Sequence, residues 1–176
     1  MLEILYPRRC AVCDEIEVTG KGICPLCKDK VHVAGEPACK KCGKPLVDER
    51  KEFCTDCGKK HHVYTQGKAV FVYEGGIRNS MYRFKYGNKR EYAEFYANAA
   101  VEKYGVWLNK IKAEVLIPIP MYSRKKRLRG YNQAEVFARE LGRKAGILVD
   151  EHLVRRVRNT IPQKELNGYC SQVGIF

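Results

Sequence analysis

The texture of the chain changes at Lys68. Ala69-Val70-Phe71-Val72-Tyr73 has strand character, and Glu74-Gly75-Gly76 breaks it. Residues 77–86 and 90–104 predict helices. In the second of these Tyr92, Phe95, Tyr96, Ala99, Ala100 and Tyr104 recur at helical spacing. Such a stripe serves either as a stacking surface for bases or as a core face, and core is the commoner use. Glu114 to Pro120 predicts a strand. Its continuous apolar run Val115-Leu116-Ile117 suits a parallel strand covered on both faces. Pro118 and Pro120 end it, because neither can donate to a ladder. Residues 132–145 predict a helix with Ala134, Phe137, Ala138 and Leu141 on one face, Asn132 as N-cap and Gly146 as stop. Ile147-Leu148-Val149 opens another strand. Strand, helix, strand in this order predicts a parallel α/β sheet.

In open α/β sheets ligands sit beyond the carboxyl ends of the strands. Residues 121–131 occupy such an end and are expected to form a basic loop. Arg124 to Arg129 carry five positive charges in six positions. N–H groups at the following helix N-terminus, and Gly130, add to its affinity for anions. The plain alternative is a solvated charged loop. A second basic patch, LVRRVRNTIPQKELN, contains Arg155, Arg156, Arg158, Thr160, Gln163 and Lys164. No apolar period organises it. It is expected to be a long exposed loop rich in donors, able to close over an anionic ligand or to meet a nucleic-acid backbone.

Charge sharpens this picture. The 176-residue chain has a formal net charge of +13. Residues 1–61 hold 12 Lys/Arg against 10 Asp/Glu, and residues 62–176 hold 21 against 10, so the excess of +11 lies in the second part. Phosphates or nucleic acid are natural partners of such a surface. No apolar run approaches the roughly 18 residues of a membrane span. The N-terminus carries an acid and is too short for a secretory signal, so a cytoplasmic protein is expected.

Eight of the nine cysteines form four Cys-x-x-Cys pairs: Cys10/Cys13, Cys24/Cys27, Cys39/Cys42 and Cys54/Cys57. Equivalent pairs recur after 29 or 30 residues, an internal duplication of spacing. Two intervening residues let a tight turn aim both sulfurs at one ion, and two such knuckles complete a tetrahedron around zinc. Gly43 and Gly58 stand directly after the second cysteine of their pairs. One pair alone could be a redox motif. Four pairs with no export signal fit metal better than disulfides or redox chemistry. Spacing allows sequential or interleaved pairing, and the matched hairpin lengths favour the sequential one. Each site then has four sulfurs and no open position, which predicts two structural zinc ions that supply most of this segment's folding energy. Four thiolates around each zinc would lower the net charge from +13 to about +9. His32, His61 and His62 are expected to be solvated loop residues, and Cys170 is left unpaired.

Four Cys-x-x-Cys pairs, YEGGIR followed by FKYG, IPIP followed by RLRGYNQA, and RRVRNTIPQKEL together resemble the ComF-type competence proteins. The resemblance covers roughly residues 4–167. It implies a double zinc ribbon at 1–61 and a type I phosphoribosyltransferase-like α/β domain at 62–176. It places Arg129, Gly130, Asn132 and Gln133 on an R-G-[FY]-N-Q motif at the pyrophosphate end of phosphoribosyl pyrophosphate. Arg158, Thr160 and Gln163 fall on an R-x-T-x-x-Q motif in a mobile loop over that substrate, with magnesium held through the substrate's phosphates. Arg124 and Arg127 join these residues as phosphate or nucleic-acid contacts. The resemblance also implies a role in DNA uptake, with single-stranded DNA and an uptake helicase as partners.

The sequence departs from that family at its end. After residue 120 the one pair of acids, Asp150-Glu151, is followed by HLVRR and not by the Thr-Thr-Gly loop that holds ribose 5-phosphate, and residues 168–176 carry no charge. A frameshift or premature stop near codon 167 is the expectation, with a natural short form as the alternative. Transferase activity is then not expected of this chain. The competing function is a zinc-ribbon nucleic-acid-binding or adaptor module without enzymatic activity.

Overall fold

A computed structural model describes residues 7–160. Gln163, Lys164, Cys170 and the uncharged tail lie outside the described residues. The architecture is an N-terminal zinc ribbon, a set of packed helices and a small two-stranded parallel sheet. A phosphoribosyltransferase-like fold is not established by these elements.

The duplication seen in the spacing recurs in the backbone. Arg9 bridges Ile16 antiparallel in the first ribbon, and Ala38 bridges Pro45 in the second, with the same offset. The N–H of Asp14 donates to the Cys10 carbonyl at 2.9 Å, and that of Gly43 to the Cys39 carbonyl at 2.8 Å. Both Asp14 and Gly43 are left-handed, with φ of 69° and 75°. Asp is one of the few residues besides glycine that tolerates this conformation. At Gly43 a Cβ would come within 2.7 Å of the Ala69 nitrogen, so close approach of chain adds a second requirement for glycine. The second knuckles open short helices: a 3-10 helix at Pro25–Lys30 and α1 at Thr55–Lys59, entered from Cys24 and Cys54 in extended conformation.

Four further helices and two strands follow: α2 (Gly75–Tyr86), α3 (Tyr92–Ile111), β1 (Val115–Leu116), α4 (Ser123–Arg129), α5 (Gln133–Ala145) and β2 (Leu148–Val149). The aromatic stripe of α3 is core, as its spacing suggested. Tyr92, Phe95, Tyr96 and Ala100 are buried, and Ile77, Phe84, Tyr131 and Ala11 belong to the same body of apolar contacts with Tyr92, Phe95 and Tyr96. Ala11 comes from the first ribbon, so that ribbon and the helices share one core. Gly76 permits the approach, since a Cβ there would meet Val12 Cγ1 at 2.7 Å. The Arg83 guanidinium donates to the Val12 carbonyl, the Tyr92 hydroxyl donates to Asp14 at 2.7 Å, and Lys89 pairs with Asp14 at 2.8 Å.

Three expectations need correction. Residues 69–73 do not form a strand of their own. Phe71 makes one antiparallel bridge to Val33, flanked by hydrogen bonds from Ala34 to Val70 and from Val72 to His32. The segment is held by the linker between ribbons, which offers only a short partner. Residues 121–131 are not a loop: Ser123–Arg129 is helical. Arg, Lys and Leu are good helix formers, cations in the last turn complement the helix dipole, and Gly130 at φ 83° ends the helix.

The third concerns the apolar run at β1. It is covered on one face only. Val115 pairs with Leu148 and Leu116 with Val149 in parallel register, and the Asp150 N–H extends the ladder to the Leu116 carbonyl at 3.0 Å. Leu116 and Pro118 turn inward, while Val115, Ile117, Ile119 and Leu148 are exposed. The covering element is α5. Its Gly142 lets Val149 approach so closely that a Cβ would meet Val149 Cγ2 at 2.5 Å. Among the described residues no element lies on the other face.

Candidate metal centres and basic corner

Sequential pairing is what the chain adopts. Cys10, Cys13, Cys24 and Cys27 form one cluster and Cys39, Cys42, Cys54 and Cys57 the other, with all four sulfurs of each within 4.8 Å of one another. Cys13 and Cys24 sulfurs lie 3.8 Å apart, as do those of Cys42 and Cys54. Zinc–sulfur bonds of about 2.3 Å in a tetrahedron set sulfurs about 3.8 Å apart, so the donor set fits zinc. The same distances are far too long for disulfides, and none of these eight cysteines is in one.

Local backbone prepares each site for thiolate. Burial pushes the Cys10 thiol up, but N–H groups of Cys13, Cys24 and Val12 outweigh it and bring the pKa down to about 7. Cys39 follows the same logic, its burial outweighed by N–H groups of Cys42, Cys54 and Lys41, and reaches about 6. Cys27 and Cys57 go the other way, to about 12, through burial and then neighbouring thiols. A cation at the centre would relieve that crowding and let all four ionise. His32 sits outside both clusters, paired with Glu74 at 2.7 Å.

Glu17 is a residue that the sequence reading missed. Its side chain is buried and accepts from the Thr19 hydroxyl, the Thr19 N–H at 2.5 Å and the Gly22 N–H at 3.1 Å. Burial alone would raise this carboxyl, but these donors hold it below the usual carboxylate value. It shapes the hairpin between the first two knuckles. The signal was the Thr-Gly-Lys-Gly run that follows within a turn's length.

The basic corner divides into parts. Tyr131 and Asn132 are its buried pins. The Tyr131 hydroxyl donates to the Phe84 carbonyl and ties the corner to α2. Asn132 caps α5 by accepting from the Ala134 N–H at 3.0 Å, and its amide donates to the Ile119 carbonyl at 3.0 Å and to Glu135 at 3.3 Å. Arg129 donates to Gln133 at 2.8 Å, and its guanidinium lies 4.7 Å from the Tyr86 ring centre. Both therefore face α2. The Gly130 carbonyl accepts from Arg90 at 3.0 Å. Arg124 and Arg127 project from α4 into solvent.

At the carboxyl ends of β1 and β2 lies a separate recess of about 860 Å³, lined by Ser123, Lys126, His152, Arg155 and Arg156 among others. Glu135 and Glu151 also reach it, neutralised by Lys126 at 2.6 Å and by a two-bond pair with Arg139. The chain after β2 folds back over α4, where Lys125 donates to the Thr160 carbonyl at 3.1 Å and Arg156 donates to the Thr160 hydroxyl. Arg158 is exposed on that segment. The structure thus brings Thr160 to α4, and it places Arg129 and Gln133 against α2.

Residues 1–58 match the family described as the double zinc ribbon domain. The match and the two clusters together establish that this chain carries a double zinc ribbon with two four-cysteine sites. Comparisons with curated proteins and with solved structures each returned no match. Among the described residues no helix is long and apolar enough to cross a membrane.

Proposed function

We propose that this protein is a nucleic-acid-binding module in which two structural zinc ions fix the ribbon and the basic second part grips phosphates. The observation that carries the reading is the pairing of a double zinc ribbon with cations on a pinned helix that have no acidic partner among the described residues. Arg124 and Arg127 stand exposed on α4, whose position is pinned by buried Tyr131 and Asn132. Cations held on an ordered helix lose little freedom on meeting a polyanion, and counterion release drives the association. Zinc–thiolate sites without disulfides suit the reducing cytoplasm.

The test is affinity for a labelled oligonucleotide across a salt series. Replacing Arg124 and Arg127 with Ala should weaken binding at low salt and make the dependence on salt shallower. Unchanged affinity and unchanged slope would remove this patch as the grip.

A second reading follows from the recess at the carboxyl ends of the parallel strands, where α/β folds bind phosphorylated ligands. It keeps the ComF-like, phosphoribosyltransferase-like assignment for this recess, with Lys126, Arg155 and Arg156 as its cations, Thr160 bonded to Arg156 beside them and magnesium entering on the phosphates of phosphoribosyl pyrophosphate, whereas Arg129 and Gln133 face α2 instead. Calorimetric titration with phosphoribosyl pyrophosphate and magnesium separates the two. Heat of binding that is lost in Lys126→Ala favours the small ligand, and its absence favours nucleic acid alone.

A further inference from the structure

Helix α2 buries Ile77, Ser80 and Phe84 and turns its other side to solvent. That outer side would ordinarily carry charged and small polar residues. Here it carries Arg78 and Asn79 and, beside them, two tyrosines. Tyr82 and Tyr86 stand four residues apart, and so share one face, with ring centres 5.1 Å apart and planes tilted by 46°. They are 65% and 58% exposed, and Tyr73, just before the helix, is 63% exposed, so core packing does not account for them. Arg78 continues the row one turn earlier.

These residues line a groove of about 1090 Å³ between α2 and the start of α5. Arg78, Lys85 and Arg129 supply its cations, and among the described residues no acidic side chain lines it. Arg129 is held in place by Gln133 and by the face of Tyr86. The combination has a chemical meaning. Exposed rings take the faces of bases, one face of Tyr86 being already covered by Arg129, and flanking cations take the phosphates between them. Bases of a duplex are already stacked on one another and cannot reach the rings. Only an unpaired strand satisfies both parts of the groove.

We propose that Tyr73, Tyr82 and Tyr86, with Arg78, Lys85 and Arg129, form a stacking groove for single-stranded nucleic acid. The inference rests on the nucleic-acid reading above and deepens it, since charge on α4 alone would not distinguish single strands from duplexes. The tyrosines provide affinity that is indifferent to base sequence and to salt, and the cations provide the part that salt weakens.

The test uses the zinc-loaded full chain, a labelled 20-residue oligo(dT) and a 20-base-pair duplex, read by fluorescence anisotropy. Tyr82→Leu and Tyr86→Leu keep the size and helix-forming character of the side chain but remove its π-face. Each is expected to weaken oligo(dT) binding by about tenfold, the scale of one lost base stack. In Tyr82→Leu the slope of affinity against salt should stay the same and duplex binding should be unaffected; Tyr86→Leu also removes the ring that holds Arg129, so the slope is read from Tyr82→Leu. Tyr82→Phe and Tyr86→Phe should bind oligo(dT) as the parent does, since a phenyl ring still stacks. If the Leu variants bind oligo(dT) as tightly as the parent, the stacking groove is overturned while the charge-based reading survives. If the parent binds neither oligonucleotide at low salt, both are overturned.

Discussion

Asn132 offers the sharpest separation between a ligand contact and a structural pin. Its side chain is 1% exposed, so solvent cannot replace what it loses. Removing the cap to the Ala134 N–H costs about 1 kcal/mol. Removing the amide donor leaves the Ile119 carbonyl without that partner and costs about 1 kcal/mol more. Asn132→Ala should therefore destabilise the protein by about 2 kcal/mol. Asn132→Ser retains an oxygen able to cap but cannot also reach Ile119, so roughly half that loss is expected. The assay is urea unfolding followed by far-ultraviolet circular dichroism, with zinc saturating. If Asn132→Ala unfolds within about 0.5 kcal/mol of the parent, the pinning argument fails, because a cap loss alone reaches that size. Loss of ligand affinity at unchanged stability would instead make Asn132 a ligand contact.

Three other outcomes follow from the same geometry. Chelation should remove two zinc ions per chain and unfold the ribbons, and it should also loosen α2 and α3, because Ala11 lies in their core. Metal analysis with circular dichroism checks this, and an unchanged helical signal would contradict the shared core. Gly43→Ala places a side chain at φ 75° and against the Ala69 nitrogen, a cost of more than about 1 kcal/mol, so the second cluster should release zinc to a competing chelator before the first. Release in the opposite order would refute it. Arg139 beside Glu151 holds that carboxyl below its ordinary value of 4.5. Because the folded pKa is the lower one, the stabilisation is full above about pH 4.5 and is lost as pH falls through the folded value. Arg139 is 61% exposed, so the gain over Glu151→Gln at neutral pH should be below about 1 kcal/mol and should vanish in acid.

What the sequence revealed and what it hid divide along a physical line. Zinc knuckles, the Asn132 cap and the Gly146 stop are local: each needs a few neighbouring residues in one conformation. Gly146 is indeed left-handed, and its N–H bonds the Gly142 carbonyl. The α3 stripe was legible because burial imposes a period. Helix α4 was hidden by its own composition, since five cations read as a solvated loop although Arg, Lys and Leu favour helix. Arg83 to Val12, Tyr131 to Phe84 and Lys125 to Thr160 join residues far apart in the chain, and no periodicity marks them. The tyrosines of α2 escaped for a different reason. Periodicity locates the buried face of a helix, and here the informative residues lie on the exposed one.

The central claim is that this zinc-ribbon protein grips nucleic acid through phosphate contacts. The measurement that tests it most directly is the dissociation constant of the zinc-loaded chain for a labelled single strand from low to high salt. The account predicts tight binding at low salt, with the logarithm of affinity falling linearly with the logarithm of salt by about 0.7 per phosphate neutralised. No binding at low salt, or an affinity indifferent to salt, would contradict it.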